Sequence, residues 1–521
     1  LGSSPAMIGP SCARPRGSDP SWRLDRAAPR GPGRMLPGPA RSTLRCACCA
    51  VAPLLTAAWR RPKRCRLTAM SNTDVQLDAA KEIFAEAWYP ICFTNITDKT
   101  KPHHLRICNV PVVFWHDGDA WHAAVDECPH RRVRLSEGRL EGSELQCPYH
   151  GWTFDGRGRC TRIPQAEPAE TSKLCDSPRA QLSMLPVEER NGLLFLWAAG
   201  LYDGRRCPPD LQMLDELTHQ DIFGIEGVKY VDYSRDLFMD LPILIENVLD
   251  PAHLPFTHHD TISTRDKATA IPIQITSRHR RGFTGRRQTS APGMVTYQAP
   301  NHVWALTDRK DSYRDWNIVY ATPISPGRSR IFVRVVFEVS KVPMPLQQIF
   351  QVAFSPSLPP VFTHLSNHKV LEDDNIFLHH QGQTMSPAGK QDPLWSKRFY
   401  TPTSSDGAVL CYHRWLQETG GAVCWARPGG QEESKSREEL VERLRSHTQH
   451  CESCSQALSM SKDLQRLGEM LVILGLLTSS LLEQLKWSSA VLTILAAVVV
   501  AFARELEKQL TMGDYPPPRN R

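Results

Sequence analysis

Residues 128–152 read CPHRRVRLSEGRLEGSELQCPYHGW, and this stretch decides the fold of the first half of the chain. It holds two short loops, and each loop pairs one cysteine with one histidine. The pairs are Cys128-x-His130 and Cys147-x-x-His150. Thiolates and imidazoles at this spacing are typical metal ligands. The sequence therefore predicts a metal centre held between the two loops.

Two kinds of metal centre compete for these four residues. A zinc site would place all four on one ion. A Rieske [2Fe–2S] centre places two cysteines on one iron and two histidines on the other, so that each loop supplies one ligand to each iron. The alternating Cys-His, Cys-His order favours the Rieske centre. Pro129, Pro148 and Gly151 also favour it, because they predict tight loops around a cluster. We therefore predict a one-electron relay.

The N-terminal leader, 1–74, differs in composition from the rest of the 521-residue chain. It is rich in Arg, Ser, Ala, Pro and Gly, and its only acids before residue 71 are Asp19 and Asp25. This composition is typical of an organellar transit peptide. A disordered or mistranslated leader is the alternative. Since the net charge of +7 comes from this leader, it does not indicate nucleic-acid binding.

The remainder of the chain is organised in segments. Short alternating strands fill 85–200, which predicts a small all-β domain around the two loops. The Pro-rich stretch RRCPPDL at 205–211 marks a boundary. Strands and helices mix over 215–445, which predicts an α+β domain built on an antiparallel sheet. The cysteines outside the leader are too scattered for a secreted disulfide framework.

Two apolar runs near the C-terminus predict a membrane-associated helical hairpin over 468–504. The runs cover 470–482 and 487–503, and a single span needs about 20 apolar residues. A buried helical pair is the alternative.

The segment 446–460 contains Cys451-x-x-Cys454. Such a pair can toggle between dithiol and disulfide and so act as a redox switch. A structural turn is one alternative. Metal binding with the help of His447 and His450 is another.

A second candidate metal site lies in ENVLDPAHLPFTHHD, residues 246–260. His253 follows Asp250 by three residues, so a helix would place both on one face. His258 follows five residues later. Two neutral histidines and one carboxylate form the facial triad of non-haem Fe(II) oxygenases.

The carboxylate of this triad can come from a distant segment. The stretch VLEDDNIF at 370–377 offers Asp373 and Asp374. An iron site of this kind complements a Rieske centre, because a one-electron relay needs an acceptor for its electrons.

The stretch RHRRGFTGRR at 278–287 is a local cluster of cations. It predicts either a solvated loop or a contact for anionic lipid or an acidic protein, and the second would be sensitive to salt.

Taken together, these motifs resemble the Rieske non-haem iron oxygenases, and within them the plant and algal pheophorbide a oxygenase group. The phrases DECPHR, LQCPYHGWTFDG, ENVLDPAHLPFTHH and HTQHCESCSQAL carry the resemblance, which covers about 85–505. The group includes pheophorbide a oxygenase, a protochlorophyllide oxygenase and the Rieske subunit of the chloroplast inner-envelope translocon. Chlorophyllide a oxygenase is similar but lacks the Cys-x-x-Cys pair.

The resemblance implies a fold and a set of residue roles. The fold is an N-terminal all-β Rieske domain, a helix-grip iron domain of antiparallel sheet and helices, and C-terminal membrane helices. Asp250 would bridge to a cluster histidine of a neighbouring subunit, which requires an oligomer, usually a homotrimer. The implied ligands are Cys128, His130, Cys147 and His150 for the [2Fe–2S] cluster, and His253, His258 and Asp374 for Fe(II), with Asp373 the alternative third iron ligand.

The resemblance also implies an activity and a location. Ferredoxin would supply electrons for the O2-dependent oxidation of a chlorophyll-derived tetrapyrrole. The expected reaction is opening of the pheophorbide a macrocycle in chlorophyll breakdown. A protochlorophyllide or phyllobilin hydroxylase and a redox-sensing translocon subunit, with Cys451 and Cys454 as the switch, are the alternatives. The expected location is the thylakoid or inner envelope membrane of the chloroplast.

Overall fold

The computed structural model describes residues 82–515 and Pro517, with internal gaps. The predicted leader, 1–74, lies outside the described residues. The gaps are 202–206, 290–291, 310–312, 346, 349–353, 355–357, 386–398 and 420–433.

The first part of the described chain is all-β, as predicted, apart from one short helix and a few 3-10 turns. Its strands form three small antiparallel sheets, with the orders β1-β11-β10, β2-β3-β4-β9 and β5-β6-β7-β8. The strands are β1 (Trp88–Phe93), β2 (His103–Ile107), β3 (Val110–His116), β4 (Trp121–Val125), β5 (Arg139–Glu141), β6 (Glu144–Gln146), β7 (Thr153–Phe154), β8 (Cys160–Arg162), β9 (Met184–Leu185), β10 (Val187–Arg190) and β11 (Leu193–Trp197).

The second part is built on one antiparallel sheet of seven strands. Its order is β12-β18-β17-β16-β15-β14-β13, so each strand after β12 pairs with its neighbour in sequence and β12 closes the far edge against β18. The strands are β12 (Val228–Leu237), β13 (Ile273–His279), β14 (Gly282–Arg287), β15 (Gly293–Gln298), β16 (His302–Asp308), β17 (Arg314–Ser325) and β18 (Arg328–Glu338).

Ten α-helices are defined by the described residues. Three of them, α4, α6 and α7, contribute to one hydrophobic core with the large sheet, which confirms the predicted α+β fold. The helices are α1 (Thr171–Cys175), α2 (Leu211–Leu217), α3 (Gln220–Phe223), α4 (Leu241–Leu249), α5 (Leu254–Thr257), α6 (Val361–Met385), α7 (Gly407–Thr419), α8 (Arg437–Leu440), α9 (Glu452–Leu481) and α10 (Lys486–Thr511).

Strand β1 joins the two parts because both of its faces are buried. Trp88 and Phe93 pack in a core with Trp316 of the large sheet, whereas Tyr89 and Ile91 belong to the core of the small sheets. This is why WYPICF is apolar at every position rather than alternating. The small sheets therefore rest directly on the large one.

Helix α6 buries an unusual number of polar side chains. Its buried residues include His364, His368, Glu372, Asp373 and Asp374. Burial of such groups is unfavourable unless they are hydrogen-bonded, paired or bound to a metal. This helix therefore marks the part of the fold where function is concentrated.

The C-terminal helices α9 and α10 form a hairpin joined by a 3-10 turn, Glu483–Leu485. Both are long and apolar enough to cross a membrane, and only 11% and 17% of their apolar windows are buried. This exposure favours the predicted membrane hairpin over a helical pair buried within the chain. Helix α9 also begins earlier than the predicted hairpin, at Glu452, so that Cys454 lies in its first turn.

Glycines allow α9 and α10 to approach each other closely. A Cβ atom on Gly468 would lie 2.5 Å from Val500 Cγ2, and Gly475 faces Thr493 in the same way. Small residues at such a seam are typical of helices that pack within a bilayer.

Candidate metal centres

Three side chains from two segments converge at the face of the large sheet. His253, His258 and Asp374 offer ligand atoms that all lie within 4.8 Å of one another. His258 Nε2 lies 3.3 Å from Asp374 Oδ2, and His253 Nε2 lies 3.9 Å from Asp374 Oδ1. The predicted iron residues are thus brought together, and Asp374 rather than Asp373 completes the group.

The local backbone explains how the two histidines reach this point. Helix α4 ends at Asp250, whose side chain accepts a hydrogen bond of 2.8 Å from Ala252 N–H and so begins a 3-10 turn, Pro251–His253. Pro255 then starts α5, which places His258 one turn further on. The two imidazole rings lie 5.3 Å apart at 64°.

The outer nitrogens of both histidines are backed by carboxylates. His258 Nδ1 lies 3.4 Å from Asp373 Oδ2, and Thr261 donates a hydrogen bond of 2.7 Å to the same oxygen. His253 Nδ1 lies 3.7 Å from Asp250 Oδ2. Carboxylates in these positions orient metal-binding histidines and increase their basicity. Asp373 thus lies on the outer side of His258, and the donor set of His253, His258 and Asp374 fits a mononuclear Fe(II) ion.

The electrostatics of His258 agree with a metal site. Burial lowers the pKa of His258, but hydrogen bonds to Asp373 and Asp374 outweigh this and raise the pKa to about 9. Two buried carboxylates beside one imidazole thus stabilise a positive charge at this point. A divalent cation can supply this charge when it displaces the proton of the His258 imidazole.

The two cysteine-histidine loops are closed by their own backbones. Cys128 N–H donates to Val133 O over 2.9 Å, and Cys147 N–H donates to Trp152 O over 2.8 Å. Gly151 adopts a φ of +74°, a conformation that favours glycine, which explains its place after His150.

The two cysteines of these loops are buried, whereas His130 is exposed and His150 is half-buried. Cys128 and Cys147 share a hydrogen bond, and the ring of His130 lies 4.6 Å from that of His150. The proton shared with Cys128 lowers the pKa of Cys147 to about 6, despite burial, with help from amide hydrogen bonds of Tyr149 and His150.

This division fits a binuclear cluster better than a single zinc ion. Four ligands of one tetrahedral zinc ion lie within about 4 Å of each other, given bond lengths of about 2.0–2.3 Å. Among the residues that the structure describes, the four loop residues do not form such a compact group, although His253, His258 and Asp374 do. Two buried thiols for one iron and two outer imidazoles for the other match a Rieske centre.

A cavity of about 600 Å³ opens beside the iron residues. His253, His258 and Asp374 form part of its wall, and Asp250 also lines it. The rest of the wall is largely apolar and comes mainly from α4, from α6 and from the inner face of the sheet. A volume of this size is typical of a small-molecule binding site.

Comparisons with known proteins find two matching domains. Residues 87–177 match the Rieske [2Fe-2S] domain, and residues 297–392, which include Asp374, match the pheophorbide a oxygenase family. Pheophorbide a oxygenase of Oryza sativa subsp. japonica is 29% identical over 474 residues, which cover 86% of this chain and 88% of the rice protein. The chain is a Rieske non-haem iron oxygenase that carries a pheophorbide a oxygenase domain. The predicted [2Fe–2S] cluster and mononuclear iron are thereby confirmed as its cofactors.

Two further proteins show the breadth of the similarity. Flavonoid 8-hydroxylase 2 of Ocimum basilicum is 29% identical over 414 residues. The aligned region spans 71% of this chain and 73% of the basil protein. Among solved structures, NdmA of Pseudomonas putida CBB5 is 20% identical and has a TM-score of 0.47, with 69% of this chain and 99% of NdmA covered. Both plant relatives are chloroplastic, which supports a chloroplast location.

Sequence reasoning missed one buried cluster of ligand-type residues. Cys451 and Cys454 lie beside His447, which was one of the two histidines in the predicted metal alternative. The fourth residue of the group is His364 of α6. His450, the other named candidate, is exposed. Nothing in the spacing around Cys451 points to a residue more than 80 positions away.

The oxygenase should contain about three irons and two sulfides per chain, from the two ligand sets. Anaerobically purified protein should be analysed for iron and acid-labile sulfide. Protein in which zinc replaces iron at both centres would contradict these assignments.

Proposed function

We propose that this oxygenase uses O2 and ferredoxin electrons to oxidise a chlorophyll-derived tetrapyrrole, and that pheophorbide a, whose macrocycle it opens, is the substrate. One observation carries the proposal: the iron residues line a large, mostly apolar cavity with cationic side chains on its wall. The rice relative that matches most of the chain is a pheophorbide a oxygenase. A flat, apolar chlorin with one carboxylate suits such a cavity.

The apolar part of the cavity is formed by sheet and helix residues. Val295, Val319 and Ile331 supply the sheet side, and Leu244 and Leu371 supply the helix side. Such side chains hold a macrocycle by burial of apolar area, at about 25 cal/mol per Å². They also exclude water from the reacting edge of the pigment.

Arg287 is the cation best placed to bind a substrate carboxylate. Its guanidinium is held by hydrogen bonds of 2.8 Å to Leu306 O and 2.6 Å to Thr307 Oγ1. Its Nε atom is buried and makes no hydrogen bond. Burial lowers the pKa of Arg287, and Asp315 offsets only part of this. Gly293 leaves room for the guanidinium, since a Cβ atom there would lie 2.6 Å from Nη2.

Arg287→Gln should raise KM for pheophorbide a by about tenfold or more and leave kcat nearly unchanged. A charge-assisted hydrogen bond contributes about 1.5–3 kcal/mol, and the carboxylate lies away from the reacting carbons, so binding rather than chemistry is affected. Steady-state kinetics measure this. Arg286→Gln, the exposed neighbour, is the matched control.

The methyl ester of pheophorbide a tests whether the effect of Arg287 depends on the substrate carboxylate. The ester has no carboxylate, so wild type and Arg287→Gln should show similar KM values for it. A loss of affinity that is equally large for acid and ester would mean that Arg287 supports the fold of the cavity instead.

We propose that Cys128, Cys147, His130 and His150 hold the cluster and that His253, His258 and Asp374 hold the iron. When bound, the cluster relays single electrons and the iron activates O2. Asp373 keeps His258 oriented through its contact with Nδ1, and the surrounding apolar wall keeps bulk water out. Trp152 stacks on His130 at 4.9 Å and holds its ring at the surface.

We further propose that electrons pass between neighbouring subunits of a homotrimer through Asp250. His130 is exposed, and the side chain of Asp250 is 31% exposed beside His253. Both ends of the route are thus accessible to a partner subunit. The carboxylate would accept a hydrogen bond from a cluster histidine of the neighbour.

Asp250→Asn should leave the metal content unchanged and slow reoxidation of the cluster by substrate and O2 by about 10-fold to 100-fold, the range typical of outer-shell changes at metal sites. Stopped-flow absorbance of the reduced protein measures the rate. If the variant reoxidises as fast as the wild type, Asp250 is not on the electron route.

We also propose ferredoxin as the electron donor and a membrane as the location of the enzyme. Arg131, Arg132 and Arg134 are exposed beside His130 and suit an acidic electron donor. The exposed apolar surface of α9 and α10 suits a bilayer, and Trp487, at 86% exposure, sits where an interfacial anchor is expected. The thylakoid or the inner envelope would then bring the enzyme to its apolar substrate.

The full chain, reduced ferredoxin and O2 should be assayed with pheophorbide a, protochlorophyllide and a flavone. Loss of the red chlorin band and an open-chain product are expected with pheophorbide a. Turnover of protochlorophyllide alone would favour the hydroxylase alternative, and turnover of the flavone alone would favour an activity like that of the basil relative. If no compound is consumed, the result would favour the alternative of a redox-sensing translocon subunit.

A further inference from the structure

Four buried side chains meet where the C-terminal hairpin joins the large domain. His364 Nδ1 lies 3.4 Å from Cys451 Sγ and 3.4 Å from Cys454 Sγ. His447 Nε2 lies 3.4 Å from Cys454 Sγ and 3.2 Å from His364 Nδ1. All four residues are at most 2% exposed. The group is separate from the cluster and iron residues.

We propose that His364, His447, Cys451 and Cys454 bind one structural zinc ion. Two thiolates and two imidazoles are a common zinc donor set, and four protein ligands close the coordination shell. The ligand atoms all lie within 4.8 Å of one another, close to the separation of about 4 Å between the corners of one tetrahedral zinc site. Complete burial leaves no open position for substrate, so the ion would stabilise the fold rather than take part in catalysis.

The orientation of both histidines supports a metal rather than ordinary packing. His364 Nε2 lies 3.2 Å from Asp232 O, and His447 Nδ1 lies 2.6 Å from Ser234 O. Carbonyl groups only accept hydrogen bonds, so these two nitrogens must carry the protons. The carbonyls come from alternate residues of β12 and therefore lie on one side of the strand. Carbonyls in this position are typical partners of metal-binding histidines.

Because the outer nitrogens carry protons, the two inner nitrogens present lone pairs to each other. His364 Nδ1 and His447 Nε2 are only 3.2 Å apart. Two acceptors at this distance repel unless a cation or a donated proton lies between them. A zinc ion bound to both removes the repulsion.

The same geometry opposes a disulfide between Cys451 and Cys454. Reduced thiols can donate to the imidazoles, but a disulfide has no hydrogen to donate. Oxidation would leave two buried lone pairs without a donor, which is unfavourable. The pair is therefore better suited to hold a metal than to act as a reversible redox switch.

The proposed ion would tie three segments together. His364 lies in α6, His447 lies in the loop before α9, and the two cysteines begin α9. Asp374 follows His364 in α6 by ten residues, or about 15 Å along the helix axis. Zinc would thus anchor the membrane hairpin to the helix that carries an iron ligand.

Zinc K-edge X-ray absorption of the intact, iron-loaded protein tests the proposal directly. We expect about one zinc per chain, with two sulfur neighbours at about 2.3 Å and two nitrogen neighbours at about 2.0 Å. Zinc surrounded only by oxygen and nitrogen would lie at another site and would overturn the proposal. Protein that contains no zinc after purification in zinc-supplemented buffer would overturn it as well.

Two variants locate the ion. Cys454→Ser should lose most of the zinc and keep the [2Fe–2S] absorbance, whereas Cys411→Ser, which changes another buried free thiol, should keep both. His364→Asn provides a second route if Cys454→Ser does not fold. Full zinc retention in both ligand variants, or a Cys451–Cys454 disulfide in the wild-type protein under zinc-replete conditions, would contradict the assignment.

Discussion

Asp374→Ala should abolish oxygenase turnover, with a loss of more than about a hundredfold, and should lower the iron content by about one per chain. Loss of a partner outside the ligand shell already costs about 10-fold to 100-fold in metal affinity or activity, and loss of a ligand costs more. The [2Fe–2S] absorbance should remain, because Cys128 and Cys147 lie in a separate core. Iron analysis and the pigment assay measure the two effects.

Asp373→Asn is the matched control, since it changes the adjacent carboxylate. Asp373 contacts His258 Nδ1 and Thr261 Oγ1 rather than the inner face of the triad. The asparagine variant should keep its iron more firmly than Asp374→Ala and lose activity only partly. The reverse ranking would make Asp373 the iron ligand.

Glu372→Gln should destabilise the protein by about 3–5 kcal/mol, because it breaks a buried charge network from one side. Glu372 accepts a hydrogen bond of 2.8 Å from Arg235 and bonds of 2.7 and 2.6 Å from Arg443. All three side chains are at most 5% exposed. The variant would leave the two buried guanidinium groups of Arg235 and Arg443 without their shared carboxylate.

The midpoint of thermal unfolding of the full chain in detergent measures this loss. Glu418→Gln is the control, because it breaks the exposed ion pair with Arg278, where the side chains are 61% and 36% exposed. Exposed pairs contribute about 0–1 kcal/mol. Equal shifts in the two variants would show that the buried network does not stabilise the fold.

The metal ligands that the sequence predicts most readily are those with local signatures. Cys128, His130, Cys147 and His150 lie in two short loops, and His253 and His258 lie in one. The third iron ligand was left open between Asp373 and Asp374, because neighbours on a helix point about 100° apart and only the packing of α6 decides which faces the histidines. In the structure Asp374 lies with the two histidines.

The residues that sequence reasoning could not place are brought together only by tertiary structure. His364 joins Cys451 and Cys454 across the large domain. The cationic stretch 278–287 was predicted as a solvated loop or a contact surface, but it forms the β13–β14 hairpin. Arg278 pairs with Glu418 and Arg280 with Glu82, while Arg287 turns into the cavity. The stretch is thus a hairpin rather than a loop, and Arg278, Arg280 and Arg286 remain exposed.

Oxygen insertion into a chlorin is tested most directly by a single turnover. The protein is fully reduced, and the excess electron donor is removed under anaerobic conditions. The protein is then mixed with pheophorbide a and ¹⁸O2. A chain with both centres holds the two electrons that one oxygen insertion consumes. We predict an open-chain product that carries ¹⁸O, in an amount of up to about one per chain, with the mass measured by mass spectrometry. Reoxidation of the cluster at the same rate with and without pigment, and no labelled product, would contradict the proposed function.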